Sequence, residues 1–417
     1  MLETVQNVSK VPARPRAFLA FSIALLSIVY FVYLMSVVNL MIAMRAGPPT
    51  LTATHELPQS DFGLFWCAGK GLFAQAAARF GLALNVPTAA QTCQINILSN
   101  AAPTALAWPY PPPMGFLVVP FSFIPLSTSF WIWRAASIFA AVILLRCAGL
   151  SWGIIVAGLA STAGLHDLVG GQNGTLIAGI QVSALLLAEK RPGWAGILAG
   201  ALAVKPQMAL VFPAIVLRPR KLKILLAGVL TVLALVMLSL AIWGQNSWEW
   251  FFTVAGPEEV RQADVPFSAA FPAAGITVFS MARSLGAGLL AAWIWQAASS
   301  VVALGLVWLA WRPGMMTPLP RMAFTCALGV LAMPHGFAYD LVAFSLGIAT
   351  LFYLANGWER VPLGLLWLMG GYTITLADYT GLLLFPLFAL LGAAFAWQLR
   401  NVPTARMMAR KCFANSR

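Results

Sequence analysis

The chain has 417 residues, of which 60% are hydrophobic and only 9% are charged. A soluble domain has about 25% charged residues, so this composition excludes an ordinary soluble protein. The net charge is +13, but the basic residues are scattered over short loops and tails. We therefore do not expect a nucleic-acid partner, which would need a continuous basic face.

Apolar runs of about 17–25 residues recur from end to end, and this is the length that crosses a bilayer. They predict an all-α fold, a polytopic transmembrane helical bundle with about 10–12 spans. The first run begins after Lys10, Arg14 and Arg16 and is too long for a signal peptide, so we interpret it as a membrane helix. Basic residues collect in cytoplasmic loops, which predicts that both termini lie inside. The basic segments that carry this prediction are 189–192, 218–223, 312–321, 358–360 and the tail.

Residues 1–400 are predicted to form a single integral membrane domain, followed by a basic cytoplasmic tail at 401–417. The first helix leads to an extracytoplasmic loop at 45–112, and a second one spans 244–272. The charges of the second loop are interpreted as a solvated face. Counting spans back from the tail places His335 on the same face as the first loop.

Three local features refine this picture. Residues 193–217 are apolar except around Lys205, which predicts two short helices that meet at Lys205 near the outer face. Gly196 and Gly200 form a GxxxG pattern, typical of close helix packing. Residues 113–125 either cross the membrane or form a short re-entrant or interfacial helix. Cys67 and Cys93 both fall in the first loop, where a disulfide is possible in an oxidising compartment.

Several motifs follow one another along the chain. They are Asp61-Phe62 with Trp66 and Ala68-Gly69, Tyr110-Pro111-Pro112-Pro113, Gly171-Gln172-Asn173, Ala195-Gly196 with Lys205-Pro206-Gln207, and Pro334-His335 with Tyr339-Asp340. In order and spacing they resemble glycosyltransferase family 87, polytopic enzymes of the GT-C class that use polyprenyl-phosphate sugars. The resemblance covers most of the chain. It implies a GT-C-like fold whose extracytoplasmic first loop carries the catalytic carboxylate.

The resemblance also implies a function. A membrane glycosyltransferase of this kind moves a sugar, most often mannose, from polyprenyl phosphate to a lipid or glycan acceptor. The reaction would take place on the extracytoplasmic face of the bacterial cytoplasmic (inner) membrane, among membrane lipids. Many family members have an Asp-Pro-Tyr-Asp-like turn that is missing from residues 70–90, which leaves the sugar and the acceptor open. The oligomeric state is also open.

Asp61 is the predicted catalytic base, and a single base predicts inversion at the anomeric carbon. Its alternative role is to cap the helix that begins at Phe62. Lys205, His335 and Arg134 are predicted to bind the donor phosphate, because an intramembrane charge is costly to keep without a function. Lysine can instead extend to the interface, histidine can be merely hydrogen-bonded, and arginine can pair with a helix end.

Substrate binding is predicted for Gln172, Asn173, Tyr110, Trp66 and Asp340. The asparagine could instead cap a helix, and aromatic residues near the interface often form a belt. No metal or other cofactor is expected, because no DxD motif or His/Cys cluster is present. A transporter or flippase of lipid-linked sugars is the alternative function, and it would show internal repeats and a site near the midplane. A non-catalytic assembly partner is a third possibility.

Overall fold

The computed structural model describes residues 21–22, 24–37, 62–81, 108–217, 221–265 and 275–403. Within these ranges the secondary structure is helical, and the only β-type pairing is an isolated bridge between Gly275 and Phe337. The prediction of an all-α, polytopic fold is confirmed. The α-helices are, in chain order, α1 (Ala24–Val37), α2 (Phe62–Arg79), α3 (Gly115–Ser122), α4 (Leu126–Cys147), α5 (Trp152–Leu159), α6 (Thr162–Gly170), α7 (Gly174–Leu187), α8 (Pro192–Ala201), α9 (Val211–Val216), α10 (Leu222–Trp243), α11 (Gln245–Trp250), α12 (Gly256–Asp264), α13 (Val278–Ser284), α14 (Leu289–Ala310), α15 (Pro318–Ala332), α16 (Val342–Leu354), α17 (Arg360–Thr380) and α18 (Phe385–Gln398).

Three helices of the described residues are long and apolar enough to cross a membrane, namely α4, α10 and α14, each of 22 residues. A helix of this length extends about 33 Å, slightly more than the hydrocarbon core of a bilayer. The pair α5 and α6 passes the same test jointly but is bent by 58°. Other apolar helices have 10–17 residues. The number of spans, about 10–12, stays a prediction.

The core of the bundle is built around α7, in which every residue is buried. It packs against α4, α8 and α16. By contrast, α10 and α14 expose apolar side chains, such as Leu230 at 65% and Val301 at 72%. A helix that is apolar all round and exposed on one side is typical of contact with lipid.

The predicted break at Lys205 is confirmed. The chain leaves α8 through a 3₁₀ turn at Leu202–Val204, and Lys205 adopts φ −146° and ψ 74°, outside the helical region. A second 3₁₀ turn then begins at Pro206, because proline has no N–H to continue the preceding helix. The break places the cationic side chain of Lys205 inside an otherwise apolar bundle.

The GxxxG pattern has the predicted packing role. A Cβ added at Gly200 would lie 2.6 Å from the carbonyl oxygen of Gly228, and one added at Gly196 would overlap that of Ile224. Both contacts are with α10, so only residues without a side chain allow α8 and α10 to approach this closely.

Residues 113–125 form the shorter of the two predicted alternatives. A 3₁₀ turn at Pro112–Met114 leads directly into α3, which ends at Ser122. Together they extend about 16 Å, roughly half of a bilayer core. This length favours the re-entrant or interfacial alternative, which stays a prediction, and α3 packs against α2.

Three of the predicted cytoplasmic segments meet at one end of the bundle. Glu189, which follows α7, accepts a hydrogen bond of 2.8 Å from Arg321 of α15. Lys221, at the start of α10, lies with its Nζ 5.8 Å from the ring centroid of Trp311, on which Arg321 also stacks. Burial alone raises the pKa of Glu189, but the hydrogen bond and charge of Arg321 outweigh it and hold this pKa below its ordinary value.

The substitution Glu189→Gln is expected to lower stability by about 1 kcal/mol at pH 7, a small effect because Glu189 is nearly half exposed. A carboxyl group whose pKa is lowered by folding stabilises the folded state at pH values above the range in which carboxyl groups ordinarily titrate. This contribution is lost as the pH falls through the pKa of the folded state. The difference in melting temperature between the two proteins should therefore shrink from pH 7 to pH 4. Glu258→Gln, which affects an exposed pair with Arg261, is the control. An unchanged difference at both pH values would contradict this assignment.

Candidate functional site

The break at Lys205 opens into a cavity of about 490 Å³, which we call the first cavity. Its wall comes from the segment before the turn that leads into α3, from the break itself, from α12, α13 and α14, and from the turn after α15. Most of the lining is apolar. Its polar and charged lining residues are Tyr110, Lys205, Gln207, Glu259, Thr277, Ser280, Arg283, His335, Tyr339 and Asp340.

Lys205 is the buried centre of this site, with a side chain 3% exposed. Its Nζ forms an ion pair with Asp340 Oδ1 and donates a second hydrogen bond of 3.2 Å to Asn173 Oδ1. It also lies 4.7 Å from the ring centroid of Tyr339. Because an ammonium group has three donors, one remains for a ligand in the first cavity.

The loop after α15 carries both Asp340 and His335. The backbone N–H of Phe337 donates to Asp340 Oδ2 at 3.1 Å, so this carboxylate bonds to the loop and to the lysine at once. His335 Nε2 lies 3.0 Å from Glu259 Oε2 of α12. The interpretation of the second loop's charges as a solvated face is therefore wrong for Glu259, although it fits Arg261, whose side chain is 64% exposed.

Asp167 is a buried residue beside the site that the sequence interpretation missed. Its carboxylate is buried and accepts hydrogen bonds from the backbone N–H groups of Gly174 at 2.7 Å and Thr175 at 3.0 Å. It thereby caps α7 in place of Asn173, whose side chain makes no cap bond. The asparagine is therefore free to support Lys205, and its Nδ2 is buried without a hydrogen-bond partner. A carboxylate within an apolar run was the signal that could have identified Asp167.

Gly174 brings the loop and α7 together. A Cβ at this position would overlap the carbonyl oxygen of Tyr339, so the backbone before Asp340 lies directly on the first turn of α7. This close approach places Asp340 beside Lys205, although 135 residues separate the two along the chain.

Tyr110 forms part of two cavities. Its hydroxyl donates to Gln172 Oε1 at 3.3 Å, and the carbonyl of Gln172 accepts from Trp133 Nε1 at 3.2 Å. On the other side of Tyr110 lies a second cavity of about 540 Å³ between α2 and α11. The residues that line the second cavity include Cys67, Gln75, Trp108, Asn246, Ser247 and Trp250.

Arg134 and Trp66 are not among the residues that line these cavities. Arg134 is buried, donates from Nη2 to the carbonyl of Val169 at 2.8 Å, and stacks on the ring of Phe130. Trp66 donates from Nε1 to the carbonyl of Ile124 at 2.8 Å. Each holds the end of a neighbouring helix or turn, and their roles at the substrate stay predictions.

Asp61 lies outside the described residues, as do Cys93, the tail from 404 and parts of both predicted loops. Its neighbour in the chain, Phe62, is buried and lies 6.1 Å from Trp133 between ring centroids. Cys67, in the second turn of α2, is disulfide-bonded. The domain boundaries and the catalytic role of Asp61 stay predictions.

The model of glycosyltransferase family 87 matches residues 108–334, more than half of the chain. The matched range includes Tyr110, Gln172, Asn173 and Lys205, and it ends one residue before His335. No curated protein matches the chain. No solved structure matches it either.

Proposed function

We propose a reaction for this chain from one premise: it belongs to glycosyltransferase family 87, so its activity class is that of a membrane glycosyltransferase. The proposed reaction moves a sugar from polyprenyl phosphate to a lipid or glycan acceptor, and we propose mannose as this sugar. The acceptor hydroxyl oxygen bonds to the anomeric carbon, the bond from that carbon to the phosphate oxygen breaks, and polyprenyl phosphate leaves. The anomeric centre inverts, and no metal or other cofactor takes part.

The first cavity is the observation that carries this proposal. It combines a mostly apolar wall with Lys205 and His335, two of the predicted phosphate ligands, and with Tyr110 and Asp340. A phosphate needs cations or strong donors, and a polyprenyl chain needs an apolar surface. The third N–H of Lys205 supplies a charge-assisted donor at the buried end of this cavity.

The described carboxylates of the first cavity support Asp61 as the base. Asp340 is already bound to Lys205, and Glu259 is bound to His335. Each of these carboxylates is thus already in contact with a side chain of the cavity wall. Neither is therefore suited to accept the proton of the acceptor hydroxyl, and the carboxylate that precedes Phe62 remains the candidate for this step.

The second cavity is proposed to hold the acceptor. It shares Tyr110 with the first cavity, so two ligands bound in them would meet at this residue. Its wall offers the amides of Gln75 and Asn246 next to the rings of Trp108 and Trp250. Amide groups and flat aromatic faces suit a hydroxyl-rich ligand with an apolar part.

The site is proposed to face the outside of a bacterial inner membrane. The basic segments around Glu189 and Arg321 lie near the start of α8. The first cavity lies beyond the other end of α8, and α8 with the 3₁₀ turn that follows it extends about 20 Å. Basic clusters favour the cytoplasmic side. The disulfide at Cys67, in the wall of the second cavity, favours an oxidising compartment.

The test is a transfer assay with purified protein in detergent and a membrane lipid extract as acceptor. We expect transfer from polyprenyl-phosphate mannose and none from a nucleotide-linked mannose, because the first cavity offers an apolar wall and a single phosphate-sized cationic end. Heat-denatured protein is the control. Transfer from the nucleotide sugar alone would overturn the donor assignment. Movement of the lipid-linked sugar across liposomes without transfer would instead identify a flippase.

A further inference from the structure

The charges that line the first cavity are not equivalent. Lys205 is paired with Asp340, and the imidazole of His335 contacts Glu259, so each of these two side chains already has a carboxylate beside it. Arg283, the remaining cation of the lining, forms no ion pair within the described residues. Its charge is therefore available to a ligand anion without competition from a carboxylate of the described residues.

The hydrogen bonds of Arg283 leave most of its donors free. Nη1 donates to the carbonyl of Ala287 at 3.1 Å and Nη2 to that of Val265 at 3.4 Å. Both acceptors are neutral, and a guanidinium has five N–H donors. The side chain is half-buried, where its charge is less screened than on an open surface. The two carbonyls hold the guanidinium in place without compensating its charge.

The position of Arg283 on α13 points it into the first cavity. Thr277, Ser280 and Arg283 follow one another at intervals of three residues and all line this cavity, as expected for side chains on one helical face. Beside them, the rings of Phe279 and Trp293 lie 4.4 Å apart between centroids and line the same cavity. The guanidinium thus stands where a polar stripe meets an apolar wall.

We propose that Arg283 binds the phosphate of a polyprenyl-linked ligand, with Phe279 and Trp293 against the first isoprene units. A guanidinium binds two phosphate oxygens at once through a rigid planar fork of N–H groups, a geometry that an ammonium lacks. In the proposed function, on which this inference rests, the phosphate gains negative charge as the sugar leaves. Arg283 then stabilises the departing polyprenyl phosphate, while Lys205 and its partners act at the buried end of the cavity.

A binding experiment separates this role from a purely structural one. Full-length protein in detergent is titrated with farnesyl phosphate, farnesol or inorganic phosphate, and binding is followed by microscale thermophoresis. The variants are Arg283→Gln, which keeps an N–H donor for the neighbouring carbonyls but loses the charge, and Arg283→Lys, which keeps the charge but loses the planar fork. Arg261→Gln changes an exposed arginine of α12, outside the first cavity, and is the matched control.

We expect Arg283→Gln to weaken farnesyl phosphate binding by about 10–100-fold, the usual effect of losing hydrogen bonds to a charged group. Arg283→Lys should fall between this variant and the wild type, and Arg261→Gln should match the wild type. Farnesol should bind all proteins weakly and equally, and inorganic phosphate should bind less tightly than farnesyl phosphate because it lacks the apolar chain.

Three results would overturn the proposal. The first is that Arg283→Gln binds farnesyl phosphate with the affinity of the wild type. The second is that Arg283→Gln loses affinity for farnesyl phosphate and for farnesol equally. The third is that the wild type does not bind farnesyl phosphate. The proposed function is tested separately, by the transfer assay, and is overturned if no sugar is transferred. A protein that binds farnesyl phosphate through Arg283 but transfers no sugar would keep the phosphate site and overturn the proposed reaction.

Discussion

Asp61→Asn is expected to lower kcat for sugar transfer by about 10²–10⁴-fold, the range for loss of a positioned general base. The asparagine amide cannot accept the proton of the attacking hydroxyl, but it has nearly the same size as the carboxylate. It can also still cap a helix that begins at Phe62. The measurement is the rate of transfer at saturating donor, together with the melting temperature of both proteins. Folding should be unchanged, because only the basicity of the side chain is lost.

Asp378→Asn is the control for this substitution. Asp378 is exposed near the end of α17 and does not line the first or the second cavity. Its loss should leave transfer at the wild-type rate. If Asp61→Asn also transferred sugar at that rate, another group would have to accept the proton. A similar loss in both variants would indicate a general effect of removing an acidic charge.

Two local features that were confirmed share one property: a short stretch of sequence determines each of them. The break at Lys205 depends on a proline directly after a charged residue in an apolar run. The packing of α8 on α10 depends on two glycines spaced four apart. Proline cannot continue the preceding helix, and the two glycines allow a second helix to approach closely. In both cases the local sequence was therefore enough to predict the structure.

The ion pairs of the site were not predictable in the same way. Nothing near Lys205 in the chain indicates Asp340, because the contact depends on how closely the loop at Tyr339 approaches α7. Glu259 was interpreted as part of a solvated face, and Arg283 was not singled out, for a related reason. They lie in or near a segment where exposed charges are common, and only the folded bundle shows which of them line a cavity.

Arg134 shows the limit of the criterion that identified Lys205. Both are cations in apolar segments, and burial is costly for both. Lys205 is stabilised by a carboxylate beside a cavity, whereas Arg134 bonds to the carbonyl of Val169 near the end of α6 and stacks on Phe130. Sequence therefore identifies which charges need compensation, but the fold decides whether a partner, a helix end or a ligand provides it.

Lys205→Met is expected to destabilise the protein by about 3–5 kcal/mol, because it leaves the buried carboxylate of Asp340 without a cation. Loss of transfer by this variant alone would not separate catalysis from folding. The double variant Lys205→Met with Asp340→Leu removes both charges and fills their space with apolar atoms. Such replacements of a buried ion pair are often neutral for stability, so the melting temperature of the double variant should return close to that of the wild type.

Sugar transfer by the double variant should nevertheless stay at least about 100-fold below that of the wild type, because the donor phosphate has lost its charge-assisted bond from Lys205. The variant Asp340→Asn completes the set. It keeps the lysine with a neutral partner and should retain more activity than the double variant. A double variant with wild-type stability and wild-type transfer would show that the pair only holds the loop to α7. Stability without transfer would instead mean that the buried charge of Lys205 serves the substrate, and that the ion pair with Asp340 is how the protein stabilises this charge.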